Sequence, residues 1–482
     1  MLNRRDFLND SSALLAALSG VGLASPELFA QQEPKKRDVN EQLNVACIGV
    51  NGQGKAHVSN WAGKQNAVVS IICDVDEAVI GNAMKIAEKG QKRTPKYVKD
   101  LRKVFEDPSI DVVSIATPNH WHALAAIWAI QAGKDVYVEK PVSHNVWEGR
   151  QIVNAARKHK RIVQTGTQSR SMKGMRQAID FVHSGKFGKV LVSRGLCYKP
   201  RNSIGKVDGP QPIPSSIDYD IWCGPAPKAD LLRKRLHYDW HWQWPYGNGD
   251  LGNQGIHEMD KARWGLKKNT LPNSVISVGG RFGYVDDGQT ANTQLCVFDY
   301  GDNQLIFEVR GLKTDALRDC KIGNIFHCEK GVVICPNYYS GVAMTNDGEV
   351  VAKFSGGDYA DHFGNFAQAV RSRDYKTLNA DIEEGHLSSA LCHLANVSLL
   401  SGTQQPFSKQ TNAFGDNKEA AESFERMQQH LKSNMVPLDS TNYSLGPKLE
   451  IDTKTETFTN NKEANRLLTR EYRKPFVVPE KV

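Results

Sequence analysis

The chain has 482 residues, 40% hydrophobic and 24% charged, with 61 Lys and Arg against 53 Asp and Glu for a net charge of +8. That length suits two or three domains, and the composition excludes a disordered chain, a collagen-like repeat and a polytopic membrane protein. The basic excess is spread thinly, with no cluster longer than Lys35-Lys36-Arg37, so no nucleic-acid partner is expected.

The chain opens with Arg4-Arg5-Asp6-Phe7-Leu8, an apolar stretch from Ser11 to Ala24, and a cleavage point after Leu28-Phe29-Ala30. Twin arginines followed by Phe-Leu resemble a Tat signal, the address for export of proteins already folded. Residues 1–30 are therefore expected to be a signal peptide and 31–42 an arm, placing the mature protein in the periplasm or otherwise outside the cytoplasm. The apolar stretch is shorter than the roughly 20 residues a membrane span needs, so no stable membrane insertion is expected. Nine cysteines, none in a CxxC pair, include Cys47, Cys73, Cys197, Cys296 and Cys328 inside apolar runs; buried free thiols are expected.

Residues 43–170 read as a parallel α/β unit. The run Leu43–Val50 has the pattern of a buried strand and ends in Gly49-Val50-Asn51-Gly52-Gln53-Gly54. A second strand, Ala67–Cys73, ends at Asp74, and a helical stretch runs from Glu77 to Lys89. A third strand, Val112–Ala116, ends in Thr117-Pro118-Asn119-His120, and a helix over Ala123–Gln131 leads to strand Asp135–Val138 and Glu139-Lys140-Pro141. Strands alternating with helices predict a doubly wound Rossmann sheet. Gly49 and Gly54 take the outer glycine places of a dinucleotide turn, and Asn51 replaces the middle one, with Gly52 able to shift the close approach by one residue. Asp74 can accept both ribose hydroxyls and would repel a 2′-phosphate. NAD is favoured over NADP.

The glycine turn, Thr117–His120 and Glu139-Lys140-Pro141 together resemble the Gfo/Idh/MocA family (glucose–fructose oxidoreductase and inositol dehydrogenase). Gly249-Asp250-Leu251-Gly252-Asn253-Gln254-Gly255-Ile256-His257 resembles that family's second glycine-rich signature. The resemblance implies a second, α/β domain over 171–404 with a large open, mainly antiparallel sheet, a carbohydrate or polyol substrate, and a homo-oligomer (dimer or tetramer), while export of the folded protein with its cofactor favours tightly bound NAD. It implies Lys140 and His257 as catalytic residues, and Thr117, Pro118, Asn119, His120, Glu139 and Lys140 beside the cofactor with the glycine turn. Where the family usually has an aspartate this chain has Asn253, and Asp250 or Asp260 could supply the missing carboxylate. No metal ligands are assigned.

Further candidates come from the residues themselves. His237–Tyr246 packs three tryptophans, two tyrosines and two histidines into ten positions. Trp240, His241 and Trp242 are candidate sugar contacts, since indole faces stack on pyranose C–H faces; the alternation of Trp240, Trp242 and Trp244 equally suits a strand with one buried side. Asp218–Pro225 reads as a rigid loop bracing this stretch, and Tyr198 and Arg201 follow strand Val190–Cys197 toward the pocket. Alternating runs at Val275–Phe282, Thr293–Tyr300, Gln304–Val309, Gly323–Cys328 and Val332–Cys335 predict the sheet, and Tyr359–Arg371 and Ile382–Leu400 predict helices. Residues 405–482 form an extension with one helical piece, Asn417–Ser433, and a tail that wraps the same subunit or a neighbour. Three functions are carried forward. The first is net hydride transfer between a sugar or polyol and nicotinamide. The second is glycoside cleavage through transient C3 oxidation, without net redox, and the third is a sugar-binding protein that has lost turnover.

Overall fold

The computed structural model describes Asp38, residues 40–409 and residues 411–482, so the twin-arginine stretch and its cleavage point lie outside the described residues. Six parallel strands form the first sheet: β1 (Leu43–Ile48), β2 (Ala67–Cys73), β3 (Lys96–Val98), β4 (Val112–Ile115), β5 (Asp135–Val138) and β6 (Val163–Thr165). Their order is β3-β2-β1-β4-β5-β6. Strands β1, β4 and β5 are buried on both faces, which is why they read as unbroken apolar runs. The order reverses between β1 and β4, and ligands of such sheets bind outside the strand ends at that reversal. The expected doubly wound sheet is present.

The second sheet is larger and mixed. It is built on β7 (Val190–Tyr198), β8 (Ser274–Gly280), β9 (Thr293–Asp299), β10 (Gln304–Arg310), β11 (Ile322–Cys328), β12 (Gly331–Cys335), β13 (Ser340–Thr345) and β14 (Val350–Ser355). Strands β7 and β10 pair in parallel, while their outer neighbours β11 and β9 are antiparallel to them. One face packs on the helices Gly255–Gly265 and Ile382–Leu400, through residues such as Phe307, Met259 and Leu391. The opposite face of β7–β10 is covered by the helix Lys418–Ser433, whose Phe424 and Leu431 bury Val192, Leu295 and Ile306. All nine cysteines are buried and free.

The extension stays with its own subunit. Strands β15 (Thr403–Pro406), β16 (Asn442–Leu445) and β17 (Leu449–Asp452) lengthen the second sheet beyond β8, and β18 (Thr457–Phe458) pairs with β17. The tail then crosses to the first domain. Phe476 is buried edge-on against Trp121 at 5.5 Å and joins the core beneath the helix Asn119–Gln131. Replacing a buried phenylalanine by alanine removes apolar contact and leaves a cavity. Phe476→Ala should therefore cost about 3–5 kcal/mol in denaturant unfolding; a change under about 1 kcal/mol would show that the tail is not part of the core.

Candidate active site

A cleft of about 620 Å³ runs from the glycine turn to the second domain. At its nucleotide end Gly49 has φ +81°, and its N–H donates to the Cys73 carbonyl at 2.8 Å. A Cβ on Gly54 would lie 1.9 Å from the Gly49 oxygen, so neither glycine can carry a side chain without moving the turn. Gly52 differs: an added Cβ there meets nothing within 4 Å. Asn51, Gly52 and Gln53 thus border open space at the head of the helix Gly54–Trp61, where backbone N–H groups and the helix dipole favour a phosphate. The residues fit a dinucleotide.

Asp74 lines the same end and has a second task. Its Oδ2 accepts from the Val50 N–H at 2.8 Å and its Oδ1 from the Asp76 N–H at 3.0 Å. Burial pushes this carboxyl up, and the two backbone bonds oppose that rise. The side chain therefore clasps the turn closed while each oxygen keeps a free lone pair for a ribose hydroxyl.

The centre of the cleft is organised by Glu139. The Trp61 indole N–H donates to Ser114 Oγ at 3.1 Å, and Ser114 donates in turn to His57 Nδ1 at 2.9 Å. His57 Nε2 then donates to Glu139 Oε1 at 3.1 Å. Burial alone would raise the Glu139 carboxyl, but the His57 hydrogen bond and the Lys140 charge bring it down to about 2. Lys140 lies with Nζ 3.9 Å from Glu139 Oε2 and donates to the backbone carbonyl of Asn253 at 3.2 Å. Lys140 thus reaches from the first domain to the second.

The Thr117–His120 stretch divides. Thr117, Pro118 and Asn119 line the cleft, whereas His120 turns away and bonds the Trp222 carbonyl at 2.9 Å. The reason is the helix start: it begins at Asn119, not Ala123, so a partly different set of side chains faces inward. His122 lines the cleft in place of His120, its ring nitrogens 2.6 and 2.7 Å from the Pro141 and Thr117 carbonyls.

His257 comes from the helix Gly255–Gly265 and lines the cleft with Lys140. Burial first, then the Lys140 charge, holds its pKa well below the usual histidine value, so the ring is neutral. Its Nδ1 is buried and has no hydrogen-bond partner. Neither candidate carboxylate serves it. Asp250 is closed on Arg201, at 2.7 Å from Nη2, and Asp260 on Arg170, at 2.8 Å from Nε. Asn253 lines the cleft and offers its backbone oxygen to Lys140.

The aromatic segment is a short 3₁₀ turn over Asp239–Trp242, not a strand. Trp240 and His241 border the cleft, stacked on each other at 3.7 Å. Trp242 instead packs under the Arg201 guanidinium, 5.3 Å away, outside the lining. Arg201 does line it. Tyr198 does not, because its hydroxyl bonds Glu308 at 2.6 Å on the opposite face of β7, as strand pleating requires. Sequence reasoning missed His122, Gln168 and Tyr338 in the lining, while Trp222, His237 and Gln254 fall inside the stretches it singled out. The Asp218 loop is stitched to the ribose end: Asp218 N–H donates to the Val75 carbonyl at 3.0 Å, and His237 Nε2 lies 2.7 Å from Asp76 Oδ2.

This fold and cleft define an NAD-binding protein of the two-domain oxidoreductase type. Residues 43–167 match the Gfo/Idh/MocA oxidoreductase family's NAD-binding Rossmann fold, and residues 171–432 match that family's C-terminal alpha/beta domain. The chain belongs to that family. Among curated proteins it is 28% identical over 204 residues to a glycosyl hydrolase family 109 protein 1 of Shewanella strain ANA-3, covering 39% of this chain and 44% of that one. An alpha-N-acetylgalactosaminidase of Shewanella oneidensis matches at 27% over 204 residues, again 39% and 44% of the two chains. The chain thus spans less than half the length of these relatives. In fold it resembles a levoglucosan dehydrogenase in complex with NADH and levoglucosan, with TM-score 0.56, 18% identity and coverage of 74% of this chain and 98% of that one. It also resembles the WlbA dehydrogenase of Bordetella pertussis in complex with NADH and UDP-GlcNAcA, with TM-score 0.52, 17% identity and coverage of 74% and 97%.

Removing the Asp74 carboxylate should loosen the turn and delete the ribose acceptor together. Asp74→Ala is expected to weaken NAD about ten- to hundredfold by isothermal titration, the scale of a lost charge-assisted hydrogen bond. An unchanged NAD affinity would confine Asp74 to the clasp.

Proposed function

We propose that this protein is an NAD-dependent oxidoreductase acting on a secondary hydroxyl of a carbohydrate. The observation that carries the reading is the placing in one cleft of Lys140 and a neutral His257 whose Nδ1 has no protein partner. A neutral imidazole with a free lone pair is a base, and an adjacent lysine stabilises the oxygen that loses its proton. In this account His257 accepts the hydroxyl proton, while Lys140, held by the Asn253 carbonyl, steadies the oxygen. The glycine turn, Asp74 and Pro118 would hold NAD, which when bound would supply the two-electron hydride acceptor for the carbinol carbon. Trp240 and Trp222 give the cleft apolar walls suited to sugar C–H faces. A neutral imidazole in the same cleft as the Lys140 ammonium favours an enzyme over a binding protein.

A second reading is glycoside cleavage in which the cofactor ends as it began. Two observations favour it. The loop and turn over residues 216–241 are stitched to the ribose end, which suits a retained cofactor, and the curated relatives carry glycosidase names. Incubation with a p-nitrophenyl glycoside separates the two readings. Nitrophenol release without accumulating NADH fluorescence supports cleavage; NADH accumulating in step with an oxidised sugar supports net redox.

Both readings require the same pair of side chains. Lys140→Met and His257→Ala should each lower kcat by about 10²–10⁴ while NAD affinity stays within about threefold, because neither touches the phosphate or ribose end. Since the His257 pKa is depressed, the base form persists as pH falls, so the acid limb of kcat/KM should lie below pH 6.5. Wild-type turnover in both variants would move the chemistry elsewhere.

A further inference from the structure

The cleft contains one cation without an opposing carboxylate. Glu139 faces Lys140, and Asp250 closes on Arg201. Lys199, which also lines the cleft, has only a neutral partner: its ammonium donates to Gln254 Oε1 at 2.6 Å. Among the described residues no carboxylate stands within ion-pair distance of it, and the nearby buried Glu258 is engaged by Lys261 at 3.6 Å. A half-buried ammonium held by one amide oxygen keeps two N–H groups, and only the more distant negative charges of Asp250 and Glu258 offset its own.

The other end of the same amide presents a second donor. Gln254 Nε2 donates to Tyr338 Oη at 2.6 Å, so that oxygen acts as an acceptor and its own proton is left to donate. Tyr338 also lines the cleft, and its ring lies 4.9 Å from that of His257. The planar Gln254 amide therefore links an ammonium and a hydroxyl that both line the cleft, and the ring carrying that hydroxyl lies beside the proposed base. Two donors and one positive charge match a carboxylate, which has two oxygens and one negative charge. The Arg201 fork, the other cation here able to grip an oxyanion, is already closed on Asp250.

We propose that the cleft takes a carboxylate-bearing sugar, a hexuronic acid or its glycoside, with the carboxylate held between Lys199 and Tyr338. This rests on the carbohydrate reading above and narrows it. Lys199 and Tyr338 would then set specificity, while Lys140 and His257 act at the carbinol.

The test uses the full NAD-loaded protein and its tryptophan fluorescence. It is titrated with D-glucuronate and D-galacturonate, with D-glucose and D-galactose, with D-glucose 6-phosphate, and with D-glycerate as a hydroxy acid that is not a sugar. At least one uronate should bind about tenfold or more tighter than its neutral partner and than the phosphate, the scale of a charge-assisted hydrogen bond. Lys199→Met should abolish that preference, Lys199→Arg should keep much of it, and NAD affinity should be unchanged in both. Tyr338→Phe should weaken the uronate and leave the neutral sugar alone. Neutral sugars binding as well as uronates, a phosphate binding as tightly, or a preference that survives Lys199→Met would each overturn the proposal. Glycerate binding through Lys199 with no sugar binding at all would sink the carbohydrate reading, and the hexuronate assignment with it, while leaving an anion site. No binding by any of these ligands would sink both.

Discussion

A carboxylate buried in protein must be met by donors or give up its charge, and Glu139 is met on every side. His57 reaches it from the helix that follows the glycine turn, Gln53 from the turn itself at 3.4 Å, and the Lys140 backbone N–H at 3.2 Å. Room for it exists because position 166 is glycine: a Cβ there would lie 2.8 Å from Oε1. The residues that border the phosphate space and the proposed catalytic lysine are thus tied to one ionised group. A shift in either would cost Glu139 a partner.

From that anchor Lys140 extends to the Asn253 carbonyl, so the proposed catalytic lysine is positioned by both domains. The asparagine at 253 therefore leaves the Lys140 contact intact. The backbone atom, not the side chain, makes the recorded contact, and any residue at 253 supplies it. What the asparagine does change is charge. With Asp250 and Asp260 spent on arginines, burial and then the Lys140 charge keep the imidazole neutral, and the Glu139 charge opposes them without prevailing.

How much of this was legible in the sequence follows from geometry. The parallel sheet was readable because its strands are buried on both faces and its turns are glycine-rich, and the order of motifs carried the family. Side-chain direction was harder. Tyr198 and Lys199 are adjacent, and the pleat sends one to Glu308 and the other to the cleft. His120 was read as part of a strand end, yet it sits on a helix that points it at Trp222. The tryptophan alternation resembled a strand but belongs to a 3₁₀ turn, in which spacing by two does not sort residues onto two faces. Strand β14 is exposed at the sheet edge and lacks the apolar alternation that marks its neighbours, and β15–β18 are only two to four residues each. The Gln254 bridge could not be read at all, because it joins residues 199, 254 and 338 only after folding.

The central claim is that Lys140 and His257 share one site and feel each other's charge. A direct measurement is the ¹³C NMR titration of the His257 imidazole, assigned by difference with His257→Gln, in the wild-type protein and in Lys140→Met. The account predicts a neutral ring to well below pH 6.5 in the wild type and a raised pKa once the lysine charge is gone. An ordinary wild-type pKa, or one that does not move in the variant, would contradict it.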